Sequence, residues 1–208
     1  MKKTLLALAL IAAGTVQAGV ITQTAALTLE TTEIHQVFNI NKFDATLGTL
    51  TGVSVILNGE ALSTVTLLNT AAQSQRFGFV SDLTLFLDGA GLSQTLALNL
   101  FTFPPTVLPV GVLTDLGTAN PTDSLTFSAS DLSQFIGTGT TSFTCESLVV
   151  NTQSGGGGNI RVTQETQAGC GLSVVYTYDT PSNPTPEPAS MALVGLGMLG
   201  LAAIRRRK

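Results

Sequence analysis

The residues of this chain that could do chemistry are few and lie far apart. The chain has one histidine, His35, within a segment that mixes polar and apolar residues, Glu33–Val37. A histidine can serve as the general base for a serine nucleophile. The chain has many serines but no G-x-S-x-G segment, the sharp turn that presents such a serine in many hydrolases. We therefore expect His35 to be a solvent-facing strand residue rather than a catalytic base.

Two aspartates, Asp82 and Asp88, flank one candidate strand and could each meet a second acid, as the paired carboxylates of glycoside hydrolases do. The segment Asp88-Gly89-Ala90-Gly91 is also a conceivable calcium loop, but it lacks the regular acidic spacing of an EF-hand. Acids at strand ends are usually solvated, and the chain has no tryptophan on which a sugar could stack. The sequence therefore predicts no catalytic residue and no metal site.

The two cysteines are Cys145 and Cys170, separated by 24 residues that include the glycine run Gly155–Gly158. In an oxidising compartment an even cysteine count favours a disulfide. We predict a disulfide between two neighbouring strands, which would contribute roughly 3 kcal/mol to stability. The alternatives are two free buried thiols or a metal pair. Zinc is disfavoured because the chain has a single histidine and no C-x-x-C motif.

A glycine pattern near the C-terminus, Gly195, Gly197 and Gly200, spells G-x-G-x-x-G. A dinucleotide site needs this motif between a strand and a helix, with an acidic residue about 20 positions later. Here the chain ends eight residues after the pattern, following a run of arginines. We predict no cofactor and no enzymatic activity.

The middle of the chain reads as a series of short strands separated by turns. Val53, Val55 and Leu57 alternate with other residues, as do Leu83, Leu85 and Leu87, so each set predicts one buried strand face. Asn58-Gly59 predicts a tight hairpin. Further turns are expected at Asp88–Gly91, Asn120-Pro121 and Gly155–Gly158. The candidate strands are Ile21–Leu29, Ile34–Ile40, Thr51–Leu57, Ala61–Leu68, Phe77–Leu87, Gln94–Leu100, Ser124–Phe127, Thr141–Val150, Asn159–Gln164 and Leu172–Tyr178.

This pattern predicts an all-β class, an antiparallel β-sandwich of jelly-roll or immunoglobulin-like type. One short helical turn is expected within Ser128–Ile136, with Ser130 as its cap. Asp44 is expected to cap the turn that follows it, Gly48 to adopt a positive φ, and Leu47, Leu50 and Val53 to point inward.

The N-terminus has the three parts of a secretory signal peptide. Lys2 and Lys3 are positive, Thr4–Ala13 is apolar, and Val16-Gln17-Ala18 has small residues at the positions that precede a cut. We predict a signal helix at residues 1–18 and cleavage by signal peptidase between Ala18 and Gly19. The alternative, an N-terminal membrane helix, is disfavoured because the run is short and interrupted by Thr15 and Gln17.

The C-terminus combines a tripeptide, an apolar run and a basic cluster. Pro186, Glu187 and Pro188 precede the uncharged segment Ala189–Ile204, which is followed by Arg205, Arg206, Arg207 and Lys208. As a helix the 16-residue run spans roughly 24 Å, against about 30 Å for a hydrocarbon core, and the basic cluster favours a cytoplasmic end. The prolines hold the tripeptide extended.

This tail resembles the PEP-CTERM sorting signal, which bacteria pair with a membrane protease-transpeptidase called exosortase. The resemblance implies that residues 186–208 form a sorting signal with a transmembrane helix in the precursor. Exosortase and, transiently, the membrane would then be partners, and cutting would occur near Pro186–Pro188. The alternative is a plain tail anchor that is never cut. The Pro-rich residues 180–185 would be a stiff linker between body and tail.

The body between these signals is strongly acidic. Only Lys42, Arg76 and Arg161 remain against twelve acidic residues in 19–185, a net charge of −9. Nucleic acid and anionic membrane surfaces are poor partners for a body of that charge. Solubility outside the cell is a sufficient reason for the acidity.

The stretch Phe43–Val55, FDATLGTLTGVSV, is similar to the opening motif of the choice-of-anchor E family, and Val175-Tyr176-Thr177-Tyr178 fits the end of that domain. These are exported bacterial domains with various C-terminal anchors. The resemblance implies an all-β domain over residues 19–179 and no particular activity.

We therefore expect an exported, non-enzymatic protein. It would be an inner-membrane-anchored precursor, then be released to the cell surface or outside the cell. By resemblance, such sorting systems accompany exopolysaccharide and biofilm production, which implies a structural or adhesive matrix role and exopolysaccharide as a partner. The alternative is a secreted polysaccharide-binding or polysaccharide-cleaving domain.

Overall fold

The computed structural model describes residues 18–181, which form strands and three short 3₁₀ turns but no α-helix. The predicted signal helix and C-terminal transmembrane helix lie outside these residues. Within 18–181 there is no helix with the length and apolarity needed to cross a membrane. The strands are β1 (Ala18–Ala25), β2 (Glu30–Thr31), β3 (His35–Asn41), β4 (Thr49–Asn69), β5 (Gln75–Gly89), β6 (Leu92–Leu108), β7 (Leu113–Ala119), β8 (Thr122–Ser128), β9 (Thr140–Gly155) and β10 (Ile160–Asp179).

The strands form two antiparallel sheets, so the predicted all-β antiparallel class is confirmed. The first sheet has the order β1-β10-β4-β7, with β2 also paired to β10 and β8 to β4. The second has the order β3-β9-β5-β6. Consecutive strands β9 and β10 lie in different sheets, and so do β4 and β5.

One hydrophobic core lies between the sheets. The alternating residues Val55 and Leu57 from the first sheet and Leu83, Leu85 and Leu87 from the second have no exposed surface, as the sequence pattern predicted. Side chains on one face of each strand are thus removed from water, which is the main favourable contribution to folding.

The predicted hairpin at Asn58-Gly59 is wrong. β4 runs without interruption from Thr49 to Asn69, and Gly59 pairs with Cys170 in its middle. A Cβ at Gly59 would lie 2.5 Å from Leu85 Cδ1 and 2.8 Å from Leu96 Cδ2. Gly59 therefore allows the opposite sheet to approach closely, which explains a glycine in the middle of a strand.

Two other candidate strands, Asn159–Gln164 and Leu172–Tyr178, are parts of the single strand β10. The glycines in its middle accommodate the segment that follows β1. A Cβ on Gly169 would collide with the carbonyl oxygen of Thr28, and one on Gly171 would lie 3.2 Å from Leu27 Cβ.

Several boundaries also differ from the prediction. β1 begins at Ala18 and ends at Ala25, β6 continues to Leu108, and β9 continues to Gly155. β7 was not predicted, because its residues Leu113–Ala119 mix polar, apolar and glycine positions.

The turns that follow Asp44 and Asp131 were predicted in part. Asp44 accepts a hydrogen bond from the Thr46 amide (2.9 Å), which lowers the pKa of its carboxyl group, and Gly48 has φ 149°. Leu50 and Val53 are buried, but Leu47 is exposed, contrary to prediction. The turn at 132–135 exists, and its cap is Asp131, which accepts from the Ser133 amide, rather than Ser130.

Candidate functional site

The two ends of the described body lie side by side. Ala18 pairs with Asp179 and Gly19 with Tyr178 at the end of the first sheet. A side chain at Gly19 would collide with the Tyr178 ring. The predicted cleavage site for signal peptidase, Ala18-Gly19, is therefore next to the point where the chain leaves toward the predicted linker. Pro186, Glu187, Pro188 and the basic residues Arg205–Lys208 lie outside the described residues.

An aromatic cluster packs beneath this end of the body. The ring of Phe43 lies 5.0 Å from that of Tyr178 and 6.1 Å from that of Tyr176, measured between centroids. Tyr176 also contacts Phe135, and its hydroxyl donates to the Asn41 carbonyl (2.9 Å). Burial raises the pKa of Tyr176 to about 12. The two short motifs near residues 43 and 178 are thus joined by ring contacts.

Cys145 and Cys170 form a disulfide, as predicted. Both residues are fully buried, and their Cα atoms are 6.5 Å apart. The prediction that it joins neighbouring strands is wrong, since Cys145 is on β9 in the second sheet and Cys170 on β10 in the first. The bond therefore connects the two sheets through the core.

A buried glutamine next to the disulfide adds a second connection between the sheets. Gln36 on β3 accepts a hydrogen bond from the Cys170 amide of β10 (3.0 Å). Its Nε2 donates to the Thr28 carbonyl (2.9 Å) and to Glu30 Oε1 (2.9 Å). A buried amide is stable only when its polar atoms are paired, and Gln36 meets that condition.

His35 is exposed, as predicted, and its Nδ1 lies 2.9 Å from Oε1 of Glu146 on the neighbouring strand. Both side chains are mostly exposed. The contact is a surface pair of a kind that contributes little to stability.

The two aspartates considered for carbohydrate chemistry lie on the outer face of the second sheet. Asp82 accepts a hydrogen bond from Asn99 Nδ2 (2.7 Å), and Asp88 lies opposite Ser93 and Thr144. Six strand positions separate them, roughly 20 Å, whereas paired glycosidase carboxylates lie about 5–10 Å apart. Within residues 18–181 no three His, Cys, Asp or Glu side chains converge on a potential metal site.

A polar groove of about 470 Å³ lies beside the free edge of β10, where hydroxyl and amide groups predominate. Behind it, Gln164 Nε2 donates to Ser81 Oγ of the opposite sheet (2.9 Å), and Gln164 Oε1 accepts from Asn151 Nδ2 (2.9 Å). This network fixes the wall of the groove. The lining includes Thr31, Thr32, Leu62, Thr64, Glu165 and Gln167.

Sequence reasoning missed the groove, Gln36 and Gln164. The two glutamines are polar residues at inward strand positions, a signal that could have marked Gln36 as a buried amide and Gln164 as a half-buried one. Nothing local in the sequence shows that β2, β4 and β10 meet at one edge.

Comparison with protein families matches residues 184–208 to the PEP-CTERM protein-sorting motif. The matched segment contains the tripeptide Pro186–Pro188, the apolar run and the basic end. No curated protein matches the chain.

Among solved structures, similarity is found to structures from infectious bursal disease virus. The VP2 subviral particle has 15% identity and a TM-score of 0.24 over 91% of this chain and 50% of that one. The Gx strain structure has 13% identity and a TM-score of 0.22 over 80% and 37%. The chain thus spans half or less of these proteins, and such TM-scores support no argument about fold or function.

The match at the C-terminus agrees with the order of tripeptide, apolar run and basic cluster in the sequence. The chain carries a PEP-CTERM sorting motif at residues 184–208, which marks it as an exported, membrane-transiting precursor targeted to exosortase.

Proposed function

We propose that this protein is a structural or adhesive component of the cell surface or extracellular matrix. Signal peptidase would remove residues 1–18, and exosortase would cut near Pro186–Pro188. The body would be a sandwich of jelly-roll or immunoglobulin-like type, related to the choice-of-anchor E domains. The contacts of Phe43 with Tyr176 and Tyr178 support that relationship, because they join the two segments that carry the resemblance.

The observation that carries the proposal is the arrangement of the last strand. β10 has 20 residues, pairs with β4 along its whole length, and ends at Asp179, five residues before the matched sorting motif. At about 3.3 Å per residue, β10 is roughly 65 Å long. A long body cross-linked through Cys145–Cys170 and attached by one end suits a protein that projects from a surface and bears load.

The experiment replaces the body in the native host. A chimera keeps residues 1–18 and 180–208 but carries an unrelated β-sandwich of similar size, so it should be sorted like the original. We expect it to reach the matrix fraction while the matrix loses cohesion under shear. Unchanged cohesion, with the chimera at the native level, would refute the structural role.

The polar groove supports the second candidate, a polysaccharide-binding domain. Its hydroxyl and amide lining offers donors and acceptors to sugar hydroxyl groups. Passing purified host exopolysaccharide over the immobilised protein distinguishes binding of the polysaccharide from its cleavage. Retention that is lost in Thr64→Val/Gln167→Leu favours binding, and release of soluble oligosaccharide favours cleavage.

A further inference from the structure

An exposed apolar loop stands at one end of the body, where β6 passes to β7. Val107, Val110, Val112 and Leu113 are between 46% and 62% exposed there, and Pro109 is exposed as well. We call these five residues the apolar tip. No charged residue occurs between Asp88 and Asp115, so the tip belongs to a long uncharged stretch of the chain.

The tip is held in a fixed shape by a buried amide beneath it. Asn69, which is fully buried, donates from Nδ2 to the Leu108 carbonyl (2.9 Å), and its backbone carbonyl accepts from the Gly111 amide (2.9 Å). Leu108 is buried, whereas its neighbours on both sides are exposed. Gly111 has φ +68°, which a residue with a side chain rarely adopts. The exposure of the tip is therefore a property of a specified loop.

Two of the three basic residues of the body flank the tip. On the second sheet, Arg76 pairs with Val107 of the tip. On the first sheet, Arg161 pairs with Leu68, and Leu68 pairs on its other side with Leu113 of the tip. Both arginines are exposed, and neither forms a salt bridge with any described residue. The acid next to the tip along β7, Asp115, accepts a hydrogen bond from the Gly117 amide (2.8 Å). The two arginines thus place positive charge beside the tip, on a body that is acidic as a whole.

The tip lies at the opposite end of the body from the exit toward the sorting signal. In β10, Ile160 pairs with Asn69 beneath the tip, whereas Asp179 at the other end pairs with Thr49. The length of β10 places the two ends roughly 60 Å apart. When the tail is in a membrane, the tip can point away from that membrane.

We propose that the apolar tip docks on a phospholipid surface other than the membrane that holds the tail. Apolar side chains next to arginines suit a bilayer interface, where the chains enter the acyl boundary and the guanidinium groups reach the phosphates. Arg76 and Arg161 lie on opposite sheets, so they can contact phosphates on two sides of one inserted loop. Acidic residues farther than about 8 Å from the tip are largely screened at physiological salt.

The test uses the chain from Gly19 to Lys208, inserted through its tail into vesicles of neutral phosphatidylcholine. A second, fluorescent vesicle population contains phosphatidylcholine with or without phosphatidylglycerol. We expect the protein-bearing vesicles to capture the second population, and capture to increase with phosphatidylglycerol.

Two variants separate the contributions to this docking. Val110→Ser/Leu113→Ser should lower capture at least about tenfold, because it removes two apolar groups that would enter the bilayer. Arg76→Gln/Arg161→Gln should lower capture by anionic vesicles about fivefold per arginine. The matched control Val37→Ser/Val150→Ser removes two side chains that are 53% and 51% exposed elsewhere, and capture should not change.

Three results would overturn the proposal. They are no capture of protein-free vesicles by the unmodified chain, equal loss in the tip variant and the Val37/Val150 control, and capture that occurs only when the second population also carries the protein. The last result would indicate tip-to-tip association of two copies. Unchanged thermal unfolding of each variant shows that the fold is intact, as expected for exposed positions.

Discussion

At the scale of single residues, Tyr176 has the clearest consequence for stability. Its ring is fully buried among aromatic neighbours, and its hydroxyl donates to the Asn41 carbonyl. Burial disfavours the phenolate and raises the pKa of Tyr176 from 10.0 to about 12. The folded state therefore holds this proton more tightly than the unfolded state does.

This difference predicts a loss of stability at high pH. The stabilisation that corresponds to the raised pKa is fully present below the unfolded value near 10. It is lost as the pH rises toward 12. We expect the free energy of unfolding to fall by about 1–3 kcal/mol across that interval. Urea titrations between pH 8 and 12 measure it directly.

The matched controls are two tyrosine variants. Tyr176→Phe should remove most of the alkaline loss, while lowering stability at neutral pH by about 1 kcal/mol through the missing hydrogen bond. Tyr178→Phe leaves Tyr176 in place, so its stability should still fall at high pH. An equal alkaline loss in the unmodified chain and in Tyr176→Phe would disprove this explanation.

At the scale of elements, Gly59 fixes how closely β4 approaches the opposite sheet. Gly59→Ala would place a Cβ within 2.8 Å of both Leu85 and Leu96. We expect a destabilisation of about 1–3 kcal/mol, the usual cost of overpacking a core. The shift in denaturation midpoint, with the disulfide intact, measures this effect.

Gly52 in the same strand provides the control, because the nearest atom to its added Cβ is 3.9 Å away. Gly52→Ala should be neutral or stabilising, since alanine loses less backbone entropy on folding. If both variants had the same midpoint, close approach would not be the role of Gly59.

The same elements show what the sequence can and cannot predict. The alternation of Leu83, Leu85 and Leu87 and the cap at Asp44 depend on adjacent residues, and both were predicted. Asn58-Gly59 has the local pattern of a hairpin, yet its glycine serves a contact with a distant strand. Pairing between distant strands also decides that the disulfide crosses between sheets and that Gln164 forms a groove wall. The sorting motif was predictable because its parts are contiguous in the chain.

At the scale of the whole molecule, the described body is long, and its two chain ends lie together. The pairing of Ala18 with Asp179 places the predicted signal-peptidase site at the end of the body where the described chain leaves toward the predicted linker. The PEP-CTERM motif directs this end to a membrane, and the apolar tip lies at the other. The disulfide and Gln36 connect the two sheets between these ends.

The intact mass of the protein isolated from its native host tests the central claim most directly. We predict a mass that lacks residues 1–18 and everything after the Pro186–Pro188 region, with two hydrogens fewer because of the Cys145–Cys170 bond. Additional mass at the new C-terminus would identify a group attached during sorting. A mass that retains Ala189–Lys208 would contradict exosortase processing and leave a tail-anchored surface protein.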